Sequence, residues 1–386
     1  MSGPDHRAGG PQLDDLFPGG LETLRRGGRV VRLEPGAVLL QPGERNDALH
    51  FVVQGTLEVR VERSSGVVSR VGPGESVGEM SVVDGGPVSA WVVAGEPCEV
   101  LQVPGESLWS DLLPRPGFAR ALLRLLSGRL RQVLERQAAL EVVRKELRLA
   151  REIQASMLPR TGTLFPERTD VDCAAEMEAA AEVGGDFYDA FFLDERRLFF
   201  AVGDVSGKGV GAALFMARAL TLLRAEALRR RRPLHDLLGH VNEALVNDQA
   251  TFVALSCGVL DVWSGTLRYA NGGGGSPLVR LGGRWGRLPM PRGIVVGAIP
   301  GFAFESARSR LAPGEALVSF SDGVTEAASP TGELFGEKRL IETLDGAGPV
   351  TSGDLIHRVR DAVSAFARGG PAADDLTLLV LRRPPA

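Results

Sequence analysis

Residues 198–217 read LFFAVGDVSGKGVGAALFMA, and this stretch decides the fold of the C-terminal half of the chain. Its first part is an apolar run typical of a buried β-strand, and the helix-forming segment after Gly209 ends at Pro233. Asp204 stands between the two, so its carboxylate is expected at the rim of a sheet, just past the buried strand end. Lys208 lies in the turn that opens the helix, where it is either an anion contact or a solvent-facing residue.

Other predicted strand ends in this half also carry aspartates. They are Asp186 in GGDFYD, Asp322 in VSFSDGVTEA, and Asp374 with Asp375 in AADDLTLLV. Glycine next to such an acid lets the backbone come close to a bound ion or phosphate. Each motif alone is more often a solvated turn, as we expect for Asp189 and Asp194. Together, the strand ends predict a cluster of hard oxygen ligands.

The predicted cluster suggests a particular chemistry. The chain has only 5 histidines, none in a zinc-binding spacing, so a bound metal would be held by carboxylates, which favours Mg²⁺ or Mn²⁺. Two divalent ions about 4 Å apart would share one carboxylate and one water, and their charge would lower the pKa of that water. The resulting hydroxide can attack phosphorus in line, without a Ser, Cys or His nucleophile.

Composition excludes several classes of protein. The chain has 386 residues, a formal net charge of −4, 44% hydrophobic and 24% charged residues, which is typical of a globular protein with two or three domains. Wholesale disorder, a collagen-like fibre and a polytopic membrane protein are therefore excluded. No signal peptide is visible at the start, and three widely spaced cysteines cannot form a disulfide framework. We expect a cytoplasmic protein that does not associate with membranes.

The pattern along the chain predicts a multidomain protein. Residues 1–20 resemble a flexible lead-in, and 21–117 contain short β-type runs with glycine turns, typical of a β-roll. Residues 118–160 predict one long linker helix, and 161–386 an α+β sandwich rather than a doubly wound sheet. The apolar seam of the helix favours a parallel dimeric coiled coil. The alternative is a helix packed on its own domains.

The C-terminal motifs resemble a known family. They are REIQASMLPR (151–160), GGDFYD (184–189), GDVSGKGVGAALFMA (203–217), TFVALSCGVLDV (251–262), SFSDGVTEA (319–327), GELFG (332–336) and DDLTLLVLR (374–382). In order and spacing they resemble the PPM-type (type 2C) Ser/Thr phosphatases, in the branch of the sporulation protein E and RsbU. The resemblance implies an αββα sandwich and hydrolysis of phosphoserine or phosphothreonine on proteins.

The resemblance also implies roles for individual residues. Asp186, Asp204, Asp322 and Asp374 would be the catalytic carboxylates, and two divalent cations, Mn²⁺ or Mg²⁺, would be bound by a larger set. This metal-ligating set is Asp186, Asp204, the Val205 carbonyl, Asp322, Asp374 and, less directly, Asp375. One motif differs: residues 271–275 read NGGGG where the branch usually has Asn-Ala-Gly-His. We expect this glycine run to be mobile and to alter substrate contacts rather than hydrolysis.

The N-terminal segment resembles the cyclic-nucleotide-binding β-roll. LEPGAVLLQPGERNDALHFVVQGTLEV (33–59) follows its glycine-turned strands, and GPGESVGEMSVVDGGPVSAWV (72–92) follows its phosphate-binding cassette. The resemblance implies that Glu79 receives a ribose hydroxyl. The position of the phosphate-binding arginine is Val88, which cannot form a bidentate bond to phosphate. Cyclic nucleotide binding is therefore disfavoured.

These observations combine into one functional hypothesis. The resemblance implies a signalling phosphatase regulated by an N-terminal sensor, with a phosphorylated STAS-type anti-sigma-factor antagonist as its protein substrate. We expect a homodimer through the linker helix, which would couple the sensor to assembly of the metal site. Arg229–Arg232 lie at a helix C-terminus, where cations are favourable, so no nucleic acid partner is expected. The alternative function is an inactive pseudophosphatase that acts as a signalling scaffold.

Overall fold

The computed structural model describes most of the chain. The described residues are 24–25, 27–62, 66–229, 232–246, 251–346, 350–368 and 374–385. The predicted lead-in, residues 1–20, lies outside them. The chain divides into two compact units, Met1–Glu141 and Val142–Ala386, and each is described by itself. No helix in the described ranges is both long and apolar enough to cross a bilayer.

The N-terminal unit is built from two four-stranded antiparallel sheets, as the predicted β-roll requires. One sheet has the order β1-β8-β3-β6 and the other β2-β7-β4-β5. The strands are β1 Arg29–Leu33, β2 Val38–Leu40, β3 Ala48–Gln54, β4 Leu57–Arg60, β5 Val67–Val71, β6 Ser76–Val77, β7 Trp91–Ala94 and β8 Cys98–Pro104. The short helices α1 (Glu79–Asp84) and α2 (Gly105–Ser107) and a π-helical turn (Leu108–Leu112) complete the unit up to the linker.

A single helix, α3, links the sequence of one unit to the next. It runs over Pro116–Met157, 42 residues, close to the predicted 118–160. Of its apolar seam, Val133, Leu140 and Val143 are each exposed by about half of their surface (53%, 52% and 51%). These three positions are largely accessible, whereas Leu126 packs against the core of the N-terminal unit and Met157 against a core of the C-terminal unit, so both interpretations of the helix stay predictions.

The C-terminal unit contains two antiparallel sheets. The six-stranded sheet has the order β16-β15-β18-β19-β10-β9, and the five-stranded sheet β11-β12-β13-β14-β17. The strands are β9 Gly162–Leu164, β10 Asp172–Glu178, β11 Phe187–Phe192, β12 Arg197–Val205, β13 Val253–Asp261, β14 Thr266–Gly272, β15 Leu278–Leu281, β16 Arg284–Arg287, β17 Ser306–Arg310, β18 Ala316–Phe320 and β19 Leu376–Arg382. The helices are α4 Val210–Leu228, α5 Leu234–Leu245, α6 Asp322–Thr325, α7 Gly336–Asp345 and α8 Ser352–Ala367.

Successive side chains of a strand point to opposite faces of its sheet, and this alternation produces the layers. On β12, Phe199 and Ala201 point to the helices α4 and α5, whereas Phe200 and Val202 point to the other sheet. On the six-stranded sheet, Val318 packs against α7 and α8. The order is thus helices, sheet, sheet, helices, so the predicted αββα sandwich is confirmed.

Glycine residues make room for aromatic rings within the five-stranded sheet. Gly258 on β13 pairs with Phe200 on β12, and a Cβ on Gly258 would lie 2.5 Å from Cζ of that ring. The ring therefore covers the glycine, which leaves no space for a side chain there.

We predict that Gly258→Ala lowers the free energy of unfolding by about 2 kcal/mol, because the added methyl group overpacks the layer beneath Phe200. Urea unfolding of both proteins measures this. Gly286→Ala is the matched control, since a Cβ at that strand position meets no atom within 4 Å. Equal losses in the two variants would contradict the prediction.

Candidate active site

The register of β11 and β12 brings the first two acids together. Phe187 pairs with Gly203, so Asp186, just before β11, and Asp204, near the end of β12, lie at the same edge of the sheet. The Phe187 ring covers Gly203, where a Cβ would lie 2.5 Å from its Cζ. This contact fixes the register next to both carboxylates.

The remaining acids reach the same edge from the other sheet. Phe320 of β18 pairs with Leu378 of β19, so Asp322, just after β18, lies near Asp374 and Asp375, just before β19. A Cβ on Gly323 would lie 1.9 Å from the Asp375 carbonyl oxygen. Only glycine permits this close approach of the two loops.

Asp186 is the most deeply buried of the predicted aspartate ligands, with 2% of its surface exposed. The Thr377 hydroxyl donates a hydrogen bond to its Oδ2 at 2.5 Å, and the Ser321 hydroxyl also bonds to it. Burial raises the pKa of Asp186 well above its usual range, and the charges of Asp204 and Asp375 add to this effect. Thr377 and Ser321 were not singled out from the sequence, although both are polar positions at the ends of otherwise apolar strands.

Asp204 lies among the other carboxylates. Burial, followed by the negative charge of Asp322, raises the pKa of Asp204 to about 6, while a hydrogen bond with Asp186 opposes the rise. Asp374 contributes further repulsion. The acids thus share one electrostatic environment that a bound cation would relieve.

Asp375 holds a loop in place. Its Oδ1 accepts a hydrogen bond from the Ala180 amide at 2.8 Å, and its Oδ2 accepts a longer one, 3.5 Å, from the Asp186 amide. A Cβ on Gly184 would lie 1.9 Å from its Oδ2. The carboxylate therefore positions the segment that leads into Asp186.

Asp374 is more open to solvent and has two hydrogen-bond donors. Its Oδ1 accepts from the Asp375 amide at 3.0 Å, and its Oδ2 accepts from the Lys208 ammonium at 3.1 Å. The hydrogen bond to Asp374 raises the pKa of Lys208. Lys208 thus lies at the acidic edge, and its side chain is 70% exposed, so the solvent-facing interpretation agrees with the structure.

The donor set fits a hard divalent cation. It consists of carboxylates and the Val205 carbonyl, and a Cβ on Gly185 would lie 2.8 Å from that carbonyl oxygen and 3.0 Å from Asp204 Oδ1. A glycine is thus required where the loop approaches the donors. Within the described ranges, however, no three Asp, Glu, His or Cys side chains are arranged to hold an ion. The structure brings the acids to one edge without a complete coordination shell.

Gln154 connects the linker helix to this edge. It is buried, with 8% of its surface exposed, on a helix whose neighbouring positions are largely exposed. Its Nε2 donates to the Gly184 carbonyl at 2.7 Å, and its Oε1 accepts from the Gly184 amide at 3.3 Å. Gly184 is two residues from Asp186, so the end of α3 contacts the loop that carries a predicted ligand. Gln154 was not among the residues singled out from the sequence.

The expectation for Asp189 was wrong. This residue is not a surface acid: 1% of its surface is exposed, and its carboxylate forms a bidentate ion pair with Arg224 of α4 at 2.6 and 2.9 Å. Burial raises the pKa of Asp189, and Arg224 opposes the rise. Asp194, by contrast, lies in a surface turn, where it accepts hydrogen bonds from Arg197.

The glycine run lies against β13, and its mobility stays a prediction. The Gly273 amide donates to the Asn271 side chain at 2.9 Å, and the Gly274 amide donates to the Leu255 carbonyl at 3.2 Å. A Cβ on Gly274 would lie 2.5 Å from the Leu255 backbone. The glycines therefore allow close packing on β13.

In the N-terminal unit, Val88 belongs to the core. It has 7% of its surface exposed and packs in the apolar cluster with Val52 and Val100. Its backbone is paired with Gly43 and Glu44. Glu79 is the first residue of α1, directly after Gly78, whose φ is 84°. An apolar core side chain thus takes the place of the predicted phosphate-binding arginine.

The raised pKa of Asp204 gives a pH prediction. In metal-free protein the folded carboxyl keeps its proton up to about pH 6, whereas the unfolded one loses it near pH 4, so stability falls as pH rises between these values. The Asp204→Asn variant has no carboxyl group at this position, so its stability does not fall for this reason as pH rises. We expect the variant to be more stable than the wild type at pH 7.5, by about 1 kcal/mol after allowance for partial exposure, and not at pH 4.

Urea unfolding in EDTA across this pH range tests the prediction. Asp345→Asn, at an exposed acid on α7, is the control and should show no such pH dependence. A lower stability of Asp204→Asn than of the wild type at pH 7.5 would show that the acids do not repel one another.

Comparisons with known proteins agree with this architecture. Residues 194–384 match the family described as stage II sporulation protein E (SpoIIE), and residues 30–112 match the cyclic nucleotide-binding domain. Protein IcfG of Synechocystis sp. is 32% identical over 272 residues, 63% of this chain and 42% of that protein. Phosphoserine phosphatase RsbU of Bacillus subtilis is 26% identical over 247 residues, 62% of this chain and 71% of that protein.

A solved structure shows the same fold. The PP2C domain of SiaA from Pseudomonas aeruginosa superimposes with a TM-score of 0.54 at 22% identity, covering 64% of this chain and 98% of that domain. The chain thus spans less than half of IcfG and about seven tenths of RsbU. Residues 194–384 thus form a domain of the SpoIIE family with the PP2C-type fold, and residues 30–112 form a domain of the cyclic nucleotide-binding type.

Proposed function

We propose that the chain is a bacterial signalling phosphatase that hydrolyses phosphoserine or phosphothreonine on a partner protein, with two divalent cations, Mn²⁺ or Mg²⁺, as cofactors. One observation carries the proposal: acids from both sheets of a PP2C-type sandwich, Asp186, Asp204, Asp322 and Asp374, meet at one edge and interact electrostatically. The set contains no His, Ser or Cys nucleophile, which is consistent with attack by water.

The residues at this edge are proposed to have different roles. Bound divalent cations would supply Lewis acidity and an activated water. Asp204, which interacts with both Asp186 and Asp322, would be the ligand shared by the two ions, with the Val205 carbonyl as a further ligand. Thr377 orients the buried Asp186 carboxylate. Such hydrogen bonds hold a ligand in position before an ion binds.

The substrate is proposed to be a phosphorylated STAS-type anti-sigma-factor antagonist, following the resemblance to the RsbU branch. A role in nucleic acid binding gains no support, because Arg229 and Arg232 both pair with Glu226, at 2.7 and 3.4 Å. A cytoplasmic location is supported by Cys98, Cys173 and Cys257, which are all buried free thiols.

Regulation is proposed to act through α3. Its half-exposed Val133, Leu140 and Val143 would be covered by the same helix of a second copy, giving a homodimer. The Gln154–Gly184 hydrogen bonds would then transmit the position of the helix to the loop before Asp186. The N-terminal unit would act on this helix as a sensor without the usual phosphate-binding arginine.

We predict metal-dependent hydrolysis of para-nitrophenyl phosphate and of a phosphoserine protein. EDTA should abolish turnover, and Asp204→Asn should lower kcat at least about 100-fold, because it removes the charge that two ions share. Asp345→Asn is the matched control and should retain wild-type turnover. Turnover that survives both EDTA and Asp204→Asn would exclude the two-metal mechanism. No turnover with either substrate in Mn²⁺ or Mg²⁺ would leave the scaffold as the function.

We predict that Gln154→Ala lowers kcat about tenfold with little change in KM, since the variant loses the hydrogen bonds that hold the loop before Asp186. Gln137→Ala, at an exposed position on the same helix, is the control. Steady-state kinetics at saturating Mn²⁺ make the comparison. Equal kcat values in all three proteins would show that α3 does not act through this contact.

A further inference from the structure

Lys208 lies in a turn that holds it at the acidic edge. The turn connects β12 to α4 and contains two glycines in the left-handed region, Gly207 with φ of 96° and Gly209 with φ of 80°. Ser206 anchors the turn to the start of β13, because its amide donates to the Phe252 carbonyl and its Oγ accepts from the Phe252 amide, both at 3.0 Å. The backbone before Lys208 is thereby held in place at Ser206.

The ammonium of Lys208 is both paired and accessible. It lies 3.1 Å from Asp374 Oδ2, while the lysine side chain is 70% exposed and that of Asp374 48%. An exposed ion pair of this kind is weak and exchanges partners readily. The Asp374 carboxylate is also one of the proposed metal ligands, so the lysine and a cation would compete for it.

We propose that Lys208 is a phosphoryl-contacting residue, which Asp374 holds beside the acidic edge until a cation takes up the charge of that carboxylate. This inference rests on the phosphatase function proposed above. Once Asp374 is engaged, the flexible four-carbon stem lets the ammonium turn to the phosphoryl oxygens of the substrate. The N-terminus of α4, which begins two residues later at Val210, adds positive potential in the same place.

The chain offers a matched control. It contains only three lysines among its 44 basic residues, Lys145, Lys208 and Lys338, so a substitution at another lysine separates a local effect from a change in charge. Lys338 is an exposed residue on α7, 3.9 Å from Glu342 in the same helix. Its replacement removes the same charge and the same kind of exposed ion pair.

The test measures two binding equilibria by isothermal titration calorimetry on the full chain. Mn²⁺ is titrated into metal-free protein, and inorganic phosphate into Mn²⁺-loaded protein. We expect Lys208→Met to bind Mn²⁺ two- to fivefold more tightly, because no ion pair has to be broken, and phosphate about tenfold more weakly. Lys208→Arg, which keeps the charge, should bind phosphate within about threefold of the wild type, and Lys338→Met should match the wild type in both titrations.

In Lys208→Met, Mn²⁺ affinity is expected to rise and phosphate affinity to fall. These opposite changes distinguish a phosphoryl contact from a structural role of Lys208. A turn damaged by the substitution would weaken both equilibria, so weaker Mn²⁺ binding by Lys208→Met overturns the proposal. Unchanged phosphate binding overturns it as well, and so does Mn²⁺ affinity equal to that of the wild type. Neither titration requires turnover, so an inactive protein would refute the proposed function while this inference is still tested by its own measurements.

Discussion

The C-terminal unit depends on one constraint, which is that several aspartates lie close together at a partly buried edge of its sheets. Asp186 is almost completely buried, Asp204 lies among other acids, and both have raised pKa values. Burial of these carboxylates and, secondarily, the repulsion between them cost folding free energy, and a protein keeps such a group of acids only where the rest of the fold holds it together. The same repulsion makes the edge attractive to divalent cations, so a local cost to stability becomes the basis of the proposed function.

Several hydrogen bonds together hold the acids in place. Thr377 bonds to Asp186, and Asp375 bonds to the backbone of the loop before it. Gln154 reaches the same loop from the end of α3, and its amide both donates and accepts there. Because these partners come from different parts of the chain, a displacement of any one element reaches the ligands. The regulation proposed for α3 would act through the Gln154 contact with this loop.

The N-terminal unit has the strands of the cyclic nucleotide-binding type of domain, with an apolar side chain at position 88. Val88 packs against Val52 and Val100, where an arginine would have to leave the core to meet a phosphate. The β-roll strands and their glycine turns are nevertheless present. The strands of a β-roll therefore do not require an arginine at position 88, because strand packing and phosphate recognition depend on different side chains.

The sequence by itself determined the layered architecture, the long helix and the positions of the acids, because strand periodicity, helix propensity and glycine-flanked aspartates are local signals. It did not reveal that Asp189 is buried against Arg224, since the acid and its partner are 35 positions apart. Nor did it show that Gln154 bonds to Gly184, or that Gly274 packs on Leu255. Contacts between distant segments depend on the register of the strands and on how the layers meet, and only the tertiary structure decided these.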